Sequence, residues 1–146
     1  MLAKPRYELS PEERLVLANE AEYLKRVIAS FADKTPKVLL FCKMFFRINP
    51  TEDDLRAYVG DDNIDQYLAF VKVSANDKDK DVFALLCDLC NRVEGKNNMP
   101  DAVRMFVNKT VDAILVRLNG SRRADYNRET LGLLFEYSYD FIHRQL

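Results

Sequence analysis

The chain has 146 residues, of which 48% are hydrophobic and 31% are charged, and its formal net charge at pH 7 is −1. This composition excludes an intrinsically disordered protein, because disordered chains combine few hydrophobic residues with a high net charge. A length of 146 residues is in the usual range of one domain. We therefore expect residues 1–146 to form a single domain, with residues 1–9 as an extended or flexible lead-in.

A capping motif predicts where the first helix begins. Ser10 is followed by Pro11 at the first helical position and by Glu13 three residues after the serine, the pattern of a reciprocal capping box. Hydrophobic residues then recur every three or four positions as far as Phe31, so they share one face of a helix. The sequence therefore predicts a first helix from Ser10 to about Ala32.

The second predicted helix is the most hydrophobic segment of the chain. It begins at Thr35-Pro36, which repeats the cap-then-proline pattern, and Lys37, Lys43 and Arg47 fall in one narrow sector of its helical wheel. We therefore expect a helix that is buried on nearly all sides and exposes only this sector. A buried strand is the alternative for so short a run, but the chain has no second strand-like segment to pair with it.

Caps, glycines and hydrophobic spacing mark the remaining helices. The sequence predicts a short helix over 51–59 and further helices over 64–71, 82–93, 101–118 and 126–145. Because no segment alternates hydrophobic and polar residues in twos, we predict an all-α fold of six to seven helices. The helices form either an irregular bundle or a short stack of antiparallel helix pairs.

The three cysteines are interpreted as buried thiols. Cys87 and Cys90 have the spacing of half a zinc site, but only Cys42 and His143, from distant helices, remain to complete it. Residues 77–81 begin like a calcium-binding loop but lack the glycine and the glutamate that such a loop requires. We therefore predict no metal and no cofactor, and a small metal-binding helical protein stays an alternative.

No grouping of residues indicates catalysis. The 4 glycines are too scattered to form a phosphate-binding loop, and the single histidine, His143, lies near the carboxy terminus. We therefore predict that the chain is not an enzyme. Because the sequence shows no secretory leader and no membrane-spanning segment, we expect a cytoplasmic location.

A group of arginines is the candidate nucleic-acid site. Arg117, Arg122, Arg123 and Arg128 surround the turn at Gly120, and arginines in such a group bind phosphates. The sequence pI of about 5.9 and the acidic residues within the group disfavour this interpretation. A nucleic-acid-binding regulator is therefore an alternative to the main prediction.

The last predicted helix has two hydrophobic faces. One face joins the core, while Tyr126, Leu133, Tyr137 and Phe141 project toward the other side. If the second face lies at the surface, it is a contact for a partner, because aromatic residues are enriched at interfaces. If the helix lies inside the bundle, both faces are core. We predict a non-enzymatic protein-interaction or adaptor module, with a protein partner, or a second copy of the chain in a homodimer, on this aromatic face.

Overall fold

The structure, a computed structural model, describes residues 9–68, 81–120 and 124–140. Within these ranges every regular element is helical and there is no strand, so the predicted all-α fold is confirmed. The α-helices are α1 (Pro11–Ala29), α2 (Thr35–Phe45), α3 (Glu52–Val59), α4 (residues 64–68), α5 (Val82–Glu94), α6 (Pro100–Asn119) and α7 (Arg128–Phe135). Two 3₁₀ helices, Ala32–Lys34 and Asp61–Asn63, lie in the connections, and a π-helix, Glu136–Asp140, continues α7.

Helix α2 lies at the centre of the molecule. It packs against α1, α3, α5 and α6, and its residues Leu40, Phe41 and Cys42 are almost completely buried. A helix that contacts four others does not fit a simple stack of consecutive pairs, so the architecture is an irregular bundle. Among the described residues, no helix is both long and apolar enough to cross a membrane.

Lys43 is buried, although the helical wheel of α2 placed it in the polar sector with Lys37 and Arg47. Arg47 is exposed, but the Lys43 side chain is 3% exposed and forms an ion pair with Asp54 of α3. The Lys43 ammonium also lies 4.7 Å from the centroid of the Tyr139 ring, while Asp54 completes a capping box with Thr51. An opposite charge and further hydrogen bonds offset the cost of burying an ammonium group. This pair therefore joins α2 to α3 inside the core.

The bounds of the first and last helices differ from the prediction. The first helix begins as predicted, with the Ser10 capping box, but it ends at Ala29, and Ala32 has a φ of 58° that is incompatible with a continuing α-helix. The last helix begins at Arg128 because Asn127 caps it, so Tyr126 precedes the helix. Residues 141–145 of the predicted last helix lie outside the described residues.

Close packing of aromatic rings fixes the end of the described chain against α2. A Cβ atom on Gly132 would lie 3.0 Å from Cδ1 of Phe46, so the absence of a side chain lets the ring approach α7. The Phe46 ring lies 5.1 Å from the Phe135 ring, which lies 5.5 Å from the Tyr139 ring of the π-helix. These offset contacts add to the burial of the rings.

Two asparagines close the connections on either side of α6 in the same way. The side chain of Asn91 accepts from the backbone N–H of Asn98 at 2.8 Å and donates to its carbonyl at 3.0 Å. Asn119 makes the same two hydrogen bonds with the backbone of Tyr126, at 2.8 and 3.0 Å. Each side-chain amide thus pairs with one backbone N–H and one backbone carbonyl of a connection, which no helix hydrogen bond satisfies.

Candidate functional site

A cleft of about 170 Å³ opens between α2, α5 and the beginning of α6. We call it the Lys37 cleft. It combines two ammonium groups, a carboxamide and a thiol with an apolar wall, and its lining residues are Lys37, Phe41, Cys90, Lys96, Asn98, Ala102, Val103 and Phe106.

Three local features position the lining residues. Lys37 and Phe41 are four residues apart on α2 and therefore share one face. Gly95, with a φ of 65°, ends α5 in the left-handed conformation that favours glycine. The chain then turns toward α6 through Lys96 and Asn98, and the two hydrogen bonds from Asn91 hold Asn98 in place. The cleft thus rests on a fixed turn between two helices.

The carboxylate of Glu94 organises the polar side of the cleft. Its Oε2 atom accepts hydrogen bonds from the Tyr58 hydroxyl at 2.6 Å and the Cys90 thiol at 3.0 Å, and it lies 2.9 Å from the Lys37 ammonium. Its Oε1 atom lies 3.3 Å from the Lys96 ammonium. One carboxylate therefore connects α2, α3 and α5 and brings two lysines to the same place.

These contacts change the acidity of the groups around Glu94. Burial raises the pKa of Glu94, but the hydrogen bonds from Cys90, Tyr58 and Lys37 and the charge of Lys37 lower it more, to about 2. Burial, and then the hydrogen bond to Glu94, raise the pKa of the Cys90 thiol against the opposing charge of Lys37. Burial, and then the same carboxylate, raise the pKa of Tyr58. Glu94 is therefore an anion at neutral pH, while the thiol and the phenol keep their protons.

Aromatic rings surround the Lys37 ammonium. It lies 4.6 Å from the ring centroid of Phe106 and 5.5 Å from that of Phe41, distances at which a cation is attracted to a ring face. The Phe41 ring in turn makes edge-on contacts with Phe106 and Tyr58, with centroids 5.9 and 5.6 Å apart. Rings and carboxylate together restrict the ammonium to the edge of the cleft.

Cys90 lacks the properties of a nucleophilic cysteine, and the two lysines of the cleft keep N–H donors that Glu94 does not use. A nucleophilic cysteine requires a lowered pKa and access to solvent. Cys90, in contrast, is buried, has a raised pKa and donates a hydrogen bond to Glu94. Lys37 and Lys96 each carry three N–H donors, and one from each is directed at Glu94. The remaining donors can reach an anionic group placed at the edge of the cleft.

The structure describes three of the four residues predicted to form the aromatic face of the last helix, and these three differ in burial. Tyr126 is buried, and its hydroxyl donates a hydrogen bond to Oε1 of Glu20 at 2.8 Å, so this residue belongs to the core, the alternative that the sequence left open. Leu133 is 38% exposed, and Tyr137, on the π-helix, is half-buried. Phe141 lies outside the described residues. The predicted helix began at Tyr126, one residue ahead of the Asn127 cap, and so included a residue that precedes the helix.

The two described arginines of the predicted nucleic-acid group bind groups within the chain. Arg117 donates to Oγ of Ser30 at 2.7 Å, and its guanidinium lies 4.2 Å from the ring centroid of Phe31. Arg128 pairs with Asp112 at 2.8 Å and donates to Asn108 Oδ1 at 2.7 Å. Arg122 and Arg123 lie outside the described residues. The described part of the group is therefore tied to helix ends and to an acidic partner.

The thiol prediction is confirmed, since Cys42, Cys87 and Cys90 are free and buried. Burial raises the pKa of Cys42 to about 12. No group of three or more His, Cys, Asp or Glu side chains within the described ranges could hold a metal ion. His143 and residues 77–80 lie outside these ranges, while Asp81 caps α5 by accepting from the Phe83 backbone N–H at 3.0 Å.

Sequence reasoning missed the Lys37 cleft. Lys37 was expected to be exposed, and it carried no signal of a partner because Glu94 lies far along the chain. The one available clue was the hydrophobic segment itself, since a lysine in the first turn of a core helix is partly buried and favours an anion close by. A search with this sequence matches no family model, and neither a curated protein nor a solved structure is significantly similar to it.

Proposed function

We propose that this chain is a non-enzymatic interaction module that binds a carboxylate of a protein partner in the Lys37 cleft. The observation that supports the proposal is the convergence of two ammonium groups on Glu94, at 2.9 and 3.3 Å. Each ammonium group keeps N–H donors that Glu94 does not use, and the two lysines together carry one more positive charge than Glu94 neutralises. A second carboxylate can therefore bind beside Glu94 through charge-assisted hydrogen bonds, which are the stronger ones.

The size of the cleft favours one group of a larger partner over a whole cofactor. Pockets that enclose small molecules have volumes of roughly 300–1,000 Å³, and this cleft has about 170 Å³. That volume suits a single amino-acid side chain or a chain terminus. The partner is then a protein or peptide whose remaining residues lie on the surface around the cleft.

Two exposed methionines are the sequence neighbours of residues that line the cleft. Met99 follows the lining residue Asn98, and Met105 precedes the lining residue Phe106; the two methionines are 72% and 57% exposed. Methionine is flexible and polarisable, and it is frequent on surfaces that bind peptides. An exposed apolar rim next to a cationic cleft is therefore suited to an acidic or carboxylate-bearing peptide.

Titration with N-acetylglycine, which presents a carboxylate and no side chain, tests the proposal. We expect it to shift the backbone amide resonances of Lys96 and Asn98 in ¹H–¹⁵N spectra, with a dissociation constant in the millimolar range, as befits so small a ligand. Lys37→Ala should reduce the affinity at least about fivefold, because one of the two ammonium groups is lost.

Lys109→Ala is the matched control, because Lys109 is an exposed lysine of α6 that does not line the cleft. This variant should bind N-acetylglycine like the wild type. If the cleft resonances do not move in the wild type, or if both variants lose binding equally, the proposal is wrong. Circular dichroism of both variants establishes that they are folded.

A further inference from the structure

The polarity of the Lys37 cleft changes with depth. Its inner wall consists of buried residues, among them Phe41, Cys90 and Val103. Its charged groups lie further out, since the side chain of Lys37 is 19% exposed and that of Lys96 is 56% exposed. A ligand that fits this gradient has an apolar part that enters first and a negative charge that stays at the edge.

Two kinds of peptide carboxylate place their charge differently. An internal Asp or Glu carries its carboxylate at the tip of the side chain, so the charge would enter first and meet the apolar wall, where an unpaired anion is costly. A C-terminal residue carries its carboxylate on the backbone. Its side chain can therefore fill the apolar interior while the carboxylate remains beside Lys37 and Lys96.

Asn98 offers a polar contact for the backbone of such a residue. Its backbone is held by Asn91, and its Nδ2 atom lies 3.8 Å from the Cys90 sulfur, which is a weak contact. Its Oδ1 atom accepts no hydrogen bond from the described residues, so it can accept one from the N–H of a C-terminal residue. An amide acceptor close to two ammonium groups matches the N–H and the carboxylate of one terminal residue.

Lys96 is the donor that can move to the incoming carboxylate. Its contact with Glu94 is the longer of the two lysine contacts, 3.3 Å against 2.9 Å for Lys37, and it is the more exposed side chain. Because exposed ion pairs are weak, the lysine can exchange its partner at little cost. Glu94 then keeps its contacts with Tyr58, Cys90 and Lys37 when the ligand is bound.

We infer that the group bound in the Lys37 cleft is the free C terminus of a partner polypeptide whose last side chain is apolar. This inference rests on the proposed function, because it specifies which carboxylate the two lysines receive. The apolar side chain occupies the cleft between Phe41, Val103 and Phe106, and the residues before it pass over Met99 and Met105.

Four N-acetylated amino-acid derivatives test the inference by the same amide resonances. They are N-acetylleucine, which mimics an apolar C terminus; N-acetylglycine, which lacks the side chain; N-acetylleucine amide, which lacks the charge; and N-acetylglutamic acid α-amide, which carries its charge at the side-chain tip. We expect N-acetylleucine to bind most tightly, about tenfold more tightly than the leucine amide and severalfold more tightly than N-acetylglycine. Val103→Glu should abolish the preference for leucine over glycine, and Lys109→Ala should leave it unchanged.

The possible outcomes distinguish failure of the proposed function from failure of the C-terminus inference. If no compound shifts the cleft resonances, both the proposed function and the inference are wrong. If the glutamic acid α-amide binds as tightly as N-acetylleucine or more tightly, the cleft receives an internal acidic side chain, and only the inference is overturned. Equal affinities for N-acetylleucine and its amide would also overturn it, because the terminal carboxylate would then contribute nothing.

Discussion

Glu94 is a single residue on which three helices depend. Its carboxylate accepts from Tyr58 of α3, from Cys90 one turn earlier on α5 and from Lys37 of α2. These are the charge-assisted contacts that stabilise an ionised carboxylate against the cost of partial burial. Their effect on stability should therefore depend on whether Glu94 is charged.

We expect the contribution of Glu94 to stability to be lost in acid. Its pKa is about 2 in the folded protein against a reference value of 4.5, so the contribution is fully present above about pH 4.5 and declines as the pH falls toward 2. A depression of this size corresponds to at most about 3 kcal/mol at neutral pH, and solvent screening of this partly exposed carboxylate reduces its contribution to about 1–2 kcal/mol. Urea unfolding of the wild type and of Glu94→Gln should show a difference of this order at pH 7 that becomes smaller at pH 3.

The control for this experiment is Glu129→Gln, which removes one negative charge from an exposed residue at the beginning of α7. It separates the loss of the Glu94 contacts from a general change in net charge. A difference between wild type and Glu94→Gln that stays constant from pH 7 to pH 3 would show that ionisation of Glu94 does not stabilise the fold.

Single charged residues were the hardest to place from the sequence. Lys37 and Lys43 share a sector of the second helix, which predicts exposure for both, yet Lys43 is buried against Asp54 and Lys37 is half-buried beside Glu94. Helical periodicity reports the hydrophobic side of a helix, but it contains no information about an anion that another helix brings to the opposite side. Burial of a lysine depends on that tertiary partner.

Helix termini that carry a local capping signal were the most predictable, both at N-terminal caps and at the glycines that follow α3, α5 and α6. The Ser10 and Thr51 caps act on residues two or three positions ahead, so the capping boxes seen in the structure follow from local sequence alone. The last helix shows the limit of this reasoning. Its start was placed at Tyr126, ahead of the Asn127 cap, and its continuation as a π-helix has no comparable sequence signal.

Asn119, the last residue of α6, is hydrogen-bonded to Tyr126, which precedes the Asn127 cap of α7. Its amide pairs with both the backbone N–H and the carbonyl of buried Tyr126, and an unsatisfied buried backbone group costs about 1–3 kcal/mol. We therefore expect Asn119→Ala to lower the free energy of unfolding by about 2 kcal/mol, measured by urea denaturation.

Asn97→Ala is a suitable comparison, because Asn97 is an exposed loop residue with no hydrogen bond to the described residues. Its effect should stay within about 0.5 kcal/mol. Equal stability of Asn119→Ala and the wild type would mean that water replaces the amide and that the loop does not depend on it.

On the scale of the whole molecule, the sequence predicted the fold class but not the cleft. Hydrophobic spacing within each segment is sufficient to predict an all-α bundle, because every helix must bury its own apolar face. The cleft is formed by residues from α2, α5, α6 and the turn that carries Lys96 and Asn98. Its position depends on how those elements pack against each other, which no single segment encodes.

The distribution of exposed hydrophobic side chains leads us to expect a monomer. A stable interface buries roughly 800 Å² on each partner, whereas the large exposed hydrophobic residues within 9–68, 81–120 and 124–140 are dispersed over several elements. Leu15 and Val16 lie on α1 and Leu133 on α7. Met105 and Val116 are about 16 Å apart along α6 at the rise of an α-helix. With Tyr126 buried, Leu133 and Tyr137 are the described residues of the predicted aromatic face that keep some exposure.

Sedimentation velocity of the wild type at micromolar concentration measures the oligomeric state directly, and we expect a single species of 17.0 kDa. A dimer would contradict this expectation and would favour the original assignment of the last helix as a self-association surface. In that case Tyr137→Ala combined with Phe141→Ala should restore the monomer, because these are the two aromatic residues besides Tyr126 that the sequence assigns to that face. Lys37→Ala should leave sedimentation unchanged in either outcome, since a cleft of about 170 Å³ receives one group of a partner and is too small for a dimer interface.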